Sequence, residues 1–233
     1  ILFLTLQQNL SLKLPSALSF KDFKYAMNNI SYSKRAIIER YIHKNDQLKS
    51  LLSDLLIRYI IVNKFQLKNN DLIFYKNTFG KPFLQNIPNF HYNISHSGNW
   101  IVCAIHSQQI GIDIEKIKHF DYGIILPSFS DYEKSYFTNI SKCDADRMFF
   151  YIWTLKESYV KALGQGLYIP LNSFTIKNIV SNIDISVHTN YYDTNFYFKK
   201  YYHNDYIISV CAKVNMFPNF IKEIDIEDIL KLQ

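Results

Sequence analysis

The apolar stretch at residues 148–155 constrains the fold of this chain more than any other feature. Its sequence, MFFYIWTL, is apolar on nearly every side of a helix, which indicates a helix buried between other layers. Asp144 or Asp146 can begin this helix. Gly164 can end it, because glycine adopts the left-handed conformation found at helix ends. A chain with such a helix needs a sheet or other helices to cover it.

The segment at residues 31–65 predicts two more helices. Ser33 can cap a short basic helix, and Asn45 can cap a second helix that runs from Asp46 to about residue 62. Apolar residues of the second helix recur at intervals of three and four. This spacing predicts an apolar stripe packed against a sheet.

Short β-branched runs predict the strands. The runs at residues 100–105 and 110–114, joined by a polar turn at 107–109, predict a β-hairpin. Further strands are predicted at residues 1–6, 174–176, 183–187, 196–202 and 206–212, and residues 224–232 predict a short strand or a terminal helix. The run WIVCA at 100–104 is similar to ISVCA at 208–212, and each half carries one long apolar helix. These features predict two similar α+β halves.

The composition fits a globular protein. The chain has 233 residues, of which 48% are hydrophobic, enough for one large core or two smaller ones, and this excludes disorder, collagen and coiled coil. A net charge of +6 favours a polyanionic partner, either a nucleic acid, a phosphorylated cofactor or an acidic protein.

The cysteines and the apolar runs indicate a compartment. Cys103, Cys143 and Cys211 are too few and too far apart for a disulfide framework or a CxxC zinc site. The longest apolar runs are too short to cross a membrane. We therefore expect a soluble cytoplasmic protein.

The strand at residues 110–115 is a candidate metal site. Strict alternation places three isoleucines on one face and Gly111, Asp113 and Glu115 on the other. The two carboxylates are then about 7 Å apart along the strand. That spacing allows both to reach one hard cation such as Mg²⁺, although a solvated strand face would show the same pattern.

The buried helix supplies further charges. Lys156 and Glu157 interrupt its apolar run, and charged residues are seldom buried unless they are paired or bind a ligand. They could form ion pairs that hold two layers together. However, Glu157 and Lys161 share one face of the helix. The Glu157 carboxylate can bind a cation there, and the Lys161 ammonium beside it can bind the anion held by that cation. Glu133 lies in a more polar segment and would by itself be a surface residue.

Four motifs in order closely resemble the 4′-phosphopantetheinyl transferase superfamily, and the nearest branch is similar to the surfactin-synthetase-activating (Sfp) type. The motifs are Gly80-Lys81-Pro82, Asn93-Ile94-Ser95-His96-Ser97, Gly111-Ile112-Asp113-Ile114-Glu115 and Trp153-Thr154-Leu155-Lys156-Glu157-Ser158-Tyr159-Val160-Lys161. The signatures G-[IV]-D-[IV]-E and W-x-x-K-E-[SA]-x-x-K are both complete. The resemblance covers most of the chain.

The resemblance implies an α+β monomer of two pseudo-symmetric halves, at residues 1–116 and 117–233. Each half is expected to be a small, mostly antiparallel sheet packed on a long helix, with coenzyme A bound in the cleft between them. The implied reaction transfers the phosphopantetheine arm of coenzyme A to a serine of an apo acyl or peptidyl carrier protein and releases 3′,5′-ADP.

The resemblance also implies roles for single residues. Asp113, Glu115 and Glu157 are similar to Mg²⁺ ligands, and Lys161 is similar to the lysine that contacts the pyrophosphate. Glu157 or a metal-bound water is the expected base, and Glu133 matches a carboxylate implicated in catalysis. The positions similar to coenzyme-binding ones are Lys34, Lys49, Lys81, Ser95, His96 and Lys156. Ile37 departs from the pattern, because a second lysine is expected there, and Ser50 stands near a hydroxyl position. Lys49 or Lys44 is therefore an alternative holder of the 3′-phosphate.

Two other functions fit parts of the sequence. A Mg²⁺-dependent nuclease or other nucleic-acid-binding protein would suit the charge and the acidic strand, but Glu115 lacks a lysine two residues later, and no RNP-like motif or zinc-finger spacing is present. A noncatalytic protein that binds coenzyme A or a carrier is the second alternative. The complete set of three acids and Lys161 argues against it, because a pure binding protein does not need to bury these charges.

Overall fold

The computed structural model describes residues 8–85, 87–119, 121–138, 140–180 and 185–232. Six α-helices occur in these ranges: α1 (Phe20–Asn28), α2 (Tyr32–Ile38), α3 (Lys44–Phe65), α4 (Asp131–Lys134), α5 (Lys142–Leu163) and α6 (Ile226–Leu230). The strands are β1 (Gln8–Lys13), β2 (Phe74–Lys76), β3 (Pro82–Leu84), β4 (His91–Ser97), β5 (Trp100–His106), β6 (Ile110–Lys116), β7 (Thr175–Lys177), β8 (Ser186–His188), β9 (Tyr197–His203), β10 (Tyr206–Ala212) and β11 (Lys222–Ile224). The predicted α+β class is confirmed.

Two stacked sheets form the centre of the molecule. The first sheet has the order β11-β1-β5-β4 and is antiparallel except where β11 runs parallel to β1. The second has the order β6-β10-β9 and is fully antiparallel. Ile112 of β6, Val102 of β5 and Val210 of β10 are fully buried in the apolar layer between the sheets.

The two long helices cover the outer faces of the sheets. Leucines of α3 pack on Leu12, Ile101 and Cys103 of the first sheet, and α5 packs on Ile207 and Cys211 of the second. The layer order is therefore helix, sheet, sheet, helix. Each apolar layer removes the exposed face of an element from water, which is the main favourable contribution to folding.

The buried helix forms as predicted. It is capped by the Ser141 side chain, which accepts a hydrogen bond from the backbone N–H of Asp144, and it ends at Gly164, whose φ is +76°. The earlier helices differ in their caps: Ser31, not Ser33, caps α2, and the N-cap of α3 is His43, not Asn45.

The predicted hairpin between β5 and β6 is wrong. Both edges of β5 are already paired, with β1 on one side and β4 on the other, so β6 has no edge to join. Instead β6 pairs with β10 in the second sheet, and its isoleucines meet β5 face to face. The chain therefore changes sheets in the turn at 107–109. The division after residue 116 remains a prediction, as does the symmetry of the halves.

The strands of the second half lie close to their predicted positions, and β10 matches its predicted range. Both alternatives for the C-terminus occur together, since β11 is followed by α6. The strand predicted at residues 1–6 and part of the one predicted at 183–187 lie outside the described residues. In the described parts of the chain, no helix has the length and hydropathy needed to cross a bilayer.

Candidate active site

The acidic strand β6 presents its two faces as the alternation predicts. Ile110, Ile112 and Ile114 are buried between the sheets. Gly111 and Asp113 lie on the opposite face, against α5. The strand therefore places its carboxylates next to the buried helix.

Gly111 allows the backbone of α5 to lie directly on β6. A Cβ atom added to Gly111 would lie 2.0 Å from the backbone oxygen of Ser158 and 2.5 Å from the backbone nitrogen of Ala162. Both distances are far shorter than any van der Waals contact. The glycine of the G-I-D-I-E motif is thus required by helix packing, and it brings Asp113 within reach of side chains on α5.

Asp113 is the centre of a buried polar cluster. Its Oδ1 accepts a hydrogen bond from the Lys161 ammonium at 2.5 Å and another from the Ser95 hydroxyl at 2.8 Å. Lys161 also donates to the Ser95 hydroxyl at 3.0 Å. The other carboxylate oxygen, Oδ2, is buried and has no hydrogen-bond partner among the described residues. A buried carboxylate oxygen without a donor is costly, so Oδ2 is suited to bind a ligand.

Glu115 and Glu157 lie in the electrostatic field of Asp113. Burial raises the pKa of the Glu115 carboxyl, and the charge of Asp113 raises it further. The pKa of Glu157 is raised by the same two causes in the same order. A carboxylate raises the pKa of another only when the two are close, so Glu115 and Glu157 each lie near Asp113. Asp113, Glu115 and Glu157 together are named the acidic group.

The donor atoms of this group suit a hard cation. Mg²⁺ prefers carboxylate oxygens, and three of them with a free Oδ2 match that chemistry. Within the described ranges, however, no three His, Cys, Asp or Glu side chains are gathered closely enough to hold a metal ion. In this structure the positive charge beside Oδ1 of Asp113 is the Lys161 ammonium.

Strand β4 connects the acidic group to a cavity. On one face, the Ser95 hydroxyl binds Asp113, the Ser97 hydroxyl donates to Glu115 at 2.8 Å, and the Asn93 side chain accepts from the backbone N–H of Ile112. On the other face, His96 lines the cavity. Sequence reasoning did not assign Asn93 or Ser97, although the alternation of side chains along a strand would have placed both beside Ser95.

The cavity has a volume of about 740 Å³ and collects several predicted coenzyme-binding residues. Lys34, Lys49 and His96 all line it. Ile37 and Ser50, the two departures from the family pattern, line it as well. Its other walls include apolar and aromatic side chains: Tyr41, Ile57, Leu72, Phe74, Tyr75, Tyr92 and Ile94.

Burial affects the charges in this cavity. It lowers the pKa of Lys34, and the nearby Asp54 carboxylate partly opposes the shift. Burial also lowers the pKa of His96, and the positive charges of Lys49 and Lys161 lower it further. The imidazole of His96 is therefore neutral at pH 7 and can donate or accept a hydrogen bond.

Arg58 and Asp54 form part of the wall and were not predicted. The Arg58 guanidinium donates to Asp54 at 2.6 Å and to the Asn69 side chain at 3.0 Å, and it lies 4.9 Å from the centre of the Phe74 ring. Their spacing of four residues on one helix is the signal that could have indicated the pair. The pair fixes the Asp54 carboxylate at the edge of the cavity.

The Lys81 side chain does not line the cavity, although the flanking residues Gly80 and Pro82 do, and the coenzyme contact of Lys81 stays a prediction. Lys81 is buried, and its ammonium donates to three backbone carbonyls, those of Ile110, Lys161 and Ala162. An ammonium has three protons, so all three are used. The side chain caps the C-terminal end of α5 instead of lining the cavity.

Glu133 and Lys156 do not line the cavity either, and their predicted roles in catalysis and in coenzyme binding stay predictions. Both side chains are fully buried and form an ion pair at 2.6 Å. Glu133 also accepts hydrogen bonds from the backbone N–H groups of Ser130 and Ile176. Lys156 also donates to the Phe174 carbonyl. The ion pair joins α5 to the α4 and β7 segments, which is the alternative that sequence reasoning left open for Lys156.

Comparisons with known proteins identify the family. The family model of the N-terminal part of 4′-phosphopantetheinyl transferases matches residues 17–108, and the model of the 4′-phosphopantetheinyl transferase superfamily matches residues 109–211. The two matches meet in the turn where the chain changes sheets.

Similar proteins carry the same description. The chain is 36% identical to 4′-phosphopantetheinyl transferase Sfp of Bacillus subtilis, over 91% of this chain and 95% of that protein. It is 39% identical to 4′-phosphopantetheinyl transferase gsp of Aneurinibacillus migulanus, over 72% of this chain and 70% of the relative. The human L-aminoadipate-semialdehyde dehydrogenase-phosphopantetheinyl transferase is 31% identical, over 70% of this chain and 58% of the human protein. The chain therefore belongs to the 4′-phosphopantetheinyl transferase superfamily and, within it, to the Sfp type.

Proposed function

We propose that this enzyme transfers the 4′-phosphopantetheine arm of coenzyme A to a serine hydroxyl of an apo carrier protein in a Mg²⁺-dependent reaction. One observation supports the proposal most strongly. Strand β4 directs His96 into a basic cavity from one face and directs Ser95 and Ser97 to Asp113 and Glu115 from the other. The proposed phosphate site and the proposed cation site would thus share one wall, strand β4.

The cavity fits the nucleotide part of coenzyme A. Its volume lies within the range of about 300–1,000 Å³ typical of ligand pockets. Lys34 and Lys49 provide positive charge for phosphates, and His96 provides a neutral hydrogen-bonding group. The apolar and aromatic walls suit an adenine ring.

We assign the Mg²⁺ ion to the acidic group because of the chemistry of its donor atoms. Asp113, Glu115 and Glu157 would hold the ion, with the free Oδ2 of Asp113 as the first ligand atom. When bound, Mg²⁺ neutralises the pyrophosphate and stabilises the charge that develops on the phosphoryl oxygens. Lys161 would then leave Asp113 and contact the pyrophosphate, since its ammonium is partly exposed and can reorient.

The proposed reaction balances as a phosphoryl transfer. The serine oxygen of the carrier forms a bond to the β-phosphorus of coenzyme A, and the bond from that phosphorus to the bridging oxygen breaks. The products are the phosphopantetheinyl serine and 3′,5′-ADP. The serine proton is accepted within the acidic group, by Glu157 or by a water held there, and Lys161 stabilises the leaving phosphate.

The net charge of the chain indicates what kind of carrier protein it accepts as a partner. The chain carries a net charge of +6, so we expect a small acidic carrier protein as the acceptor. A monomeric state and a cytoplasmic location remain predictions. Within the described residues Cys103 and Cys211 are free thiols.

A loading assay tests the proposal. The protein is mixed with coenzyme A, Mg²⁺ and a panel of apo carriers from fatty-acid, polyketide and nonribosomal-peptide systems, and mass spectrometry detects the added arm. We expect at least one carrier to gain the arm, and we expect chelation of Mg²⁺ to stop the reaction.

Asp113→Asn serves as the matched variant, because it keeps the shape of the side chain but removes its charge. We expect it to bind coenzyme A in the cavity but to lose turnover. If no carrier gains the arm although coenzyme A binds, the protein is a noncatalytic binder. If Asp113→Asn works at the parent rate, the metal assignment is wrong.

A further inference from the structure

The turn between β2 and β3, at residues 77–81, docks on the C-terminal end of α5. The Asn77 side chain donates to the Gly164 carbonyl at 2.9 Å. The Lys81 ammonium donates to the Lys161 carbonyl at 2.6 Å and to the Ala162 carbonyl at 3.1 Å. The last carbonyls of a helix have no partner within the helix, so the turn supplies the missing donors.

The charge of Lys81 also suits this position. The C-terminal end of a helix carries partial negative charge, which an ammonium complements. The aliphatic part of the Lys81 side chain packs directly on Gly164. A Cβ added to this glycine would lie only 2.7 Å from Cδ of Lys81. The ammonium cannot reach a phosphate in the cavity without giving up its three carbonyl partners.

All three carbonyl partners of Lys81 belong to β6 or α5, the two elements that carry the site. Lys81 binds the backbone of Lys161 itself, and it binds the carbonyl of Ile110 at 3.1 Å, where the acidic strand β6 begins. The side chains of Lys161 and Asp113, from the same two elements, meet at 2.5 Å. One ammonium thus ties together the two backbone segments that present the catalytic pair.

We propose that Lys81 is a positioning residue, which locks the end of α5 onto β6 so that the backbone carrying Lys161 is held at a fixed distance from the backbone carrying Asp113, within reach of the pyrophosphate. The proposal rests on the proposed function, because it assigns Lys161 and Asp113 to the transfer reaction. It differs from the role implied by the family resemblance, in which this lysine contacts the coenzyme.

The two roles predict opposite kinetics. If Lys81 positions Lys161, Lys81→Met removes three donors but keeps an apolar stem, and the end of α5 shifts. A displacement of about 1 Å at a reacting group can reduce the rate about 100-fold. We therefore expect kcat for carrier loading to fall about 10- to 100-fold, while KM for coenzyme A changes less than about threefold.

Hydrogen exchange supplies a second measurement that does not depend on activity. In Lys81→Met, we expect faster amide exchange in peptides that cover the last turn of α5 and the start of β6, and unchanged exchange in the first turns of α5. Asn77→Ala removes the donor to Gly164 and the acceptor for the backbone N–H groups of Phe79 and Lys81, but it retains the ammonium, so we expect a smaller change in the same peptides and a kcat decrease of a few fold. Lys24→Met, an exposed lysine on α1, serves as the control and should change neither quantity.

Several results would overturn the proposal. A large increase in KM with unchanged kcat would show that Lys81 contacts the coenzyme. Unchanged kinetics and exchange in Lys81→Met would show that it does not position α5. If Lys81→Met fails to fold, unchanged exchange and kcat in Asn77→Ala would refute the docking role of the turn. If the unmodified protein binds coenzyme A but loads no carrier, the proposed function fails, and with it the catalytic significance of the lock.

Discussion

The buried ion pair of Glu133 and Lys156 leads to a prediction that separates a structural role from a catalytic one. Glu133 accepts from the Lys156 ammonium at 2.6 Å and from the backbone N–H groups of Ile176 and Ser130, both at 2.8 Å. Lys156 also donates to the Phe174 carbonyl at 2.8 Å. Both side chains have zero exposure, so water cannot replace a lost partner.

The expected cost follows from that burial. Lys156→Met leaves the Glu133 carboxylate buried with two backbone donors and no cation. Breaking one partner of such a pair costs about 3–5 kcal/mol of unfolding free energy. For a chain of this size, 1 kcal/mol corresponds to about 2–4 °C, so we expect the midpoint of thermal unfolding to fall by roughly 6–20 °C. Adding Glu133→Gln removes the isolated charge, and the double variant should recover part of that loss.

The activity of Glu133→Gln decides between the two roles. The amide keeps the size of the side chain and can still accept backbone hydrogen bonds. If Glu133 is structural, turnover at a temperature well below the unfolding midpoint should stay within about threefold of the parent. A catalytic acid or base contributes about 10²- to 10⁴-fold. A folded, stable Glu133→Gln enzyme that has lost 100-fold or more in turnover would refute the structural assignment.

Three further predictions concern packing, coenzyme affinity and pH. Gly111→Ala places a methyl group against the backbone of α5, so we expect it to lower the unfolding free energy by about 1–3 kcal/mol and also to lower turnover. Calorimetry and loading assays measure these two quantities. A variant that is as stable and active as the parent would contradict the packing argument. Lys34→Ala and Lys49→Ala should each raise KM for coenzyme A by about 10- to 100-fold with little change in kcat, as expected for a lost charged hydrogen bond. The variant that no longer prefers coenzyme A to 3′-dephospho-coenzyme A identifies the lysine that holds the 3′-phosphate. An unchanged KM in both variants would place the coenzyme elsewhere. Burial lowers the pKa of Lys81 from 10.5 to about 8, and its titratable neighbours are His91 and Cys211. Between pH 8 and 10.5 the unfolded chain therefore retains a proton that the folded one has lost, and unfolding free energy should gain up to about 1.4 kcal/mol per pH unit from this group. Lys81→Met should lack this gain in denaturant titrations, and an equal pH dependence in both proteins would contradict it.

Local patterns predicted the elements that determine the site. The apolar run at 148–155 indicated a buried helix because few other arrangements hide apolar residues on all sides, and Gly164 marked its end through its left-handed backbone. Alternation on β6 predicted which side chains face α5. The buried helix, its end and the two faces of β6 are determined by residues that are neighbours in the chain, so they can be predicted from the sequence alone.

Pairings between distant parts of the chain were not predictable in the same way. The β5–β6 hairpin was expected because the two runs are adjacent and separated by a turn, but β5 had already been paired on both edges by β1 and β4. The return of β11 to the first sheet likewise depends on a partner more than 200 residues away in the chain.

The burial of Lys81 and Lys156, which the sequence did not predict, has a common physical explanation. A lysine in a motif is chemically able to bind phosphate, and the sequence does not show whether its ammonium meets solvent, a carboxylate or carbonyl groups. Lys81 meets three carbonyls and Lys156 meets Glu133, whereas Lys34 and Lys49 line the cavity. Segments that are distant in the chain bury Lys81 and Lys156 but leave Lys34 and Lys49 at the cavity wall, and local sequence patterns do not show this difference.

Titration calorimetry of coenzyme A with and without Mg²⁺ tests most directly whether the basic cavity and the acidic group act on one molecule. We predict that Mg²⁺ tightens binding to the parent protein and that Asp113→Asn abolishes this increase while it still binds coenzyme A without metal. We also predict that Lys34→Ala weakens binding under both conditions. An equal effect of Mg²⁺ on the parent protein and on Asp113→Asn would contradict the account.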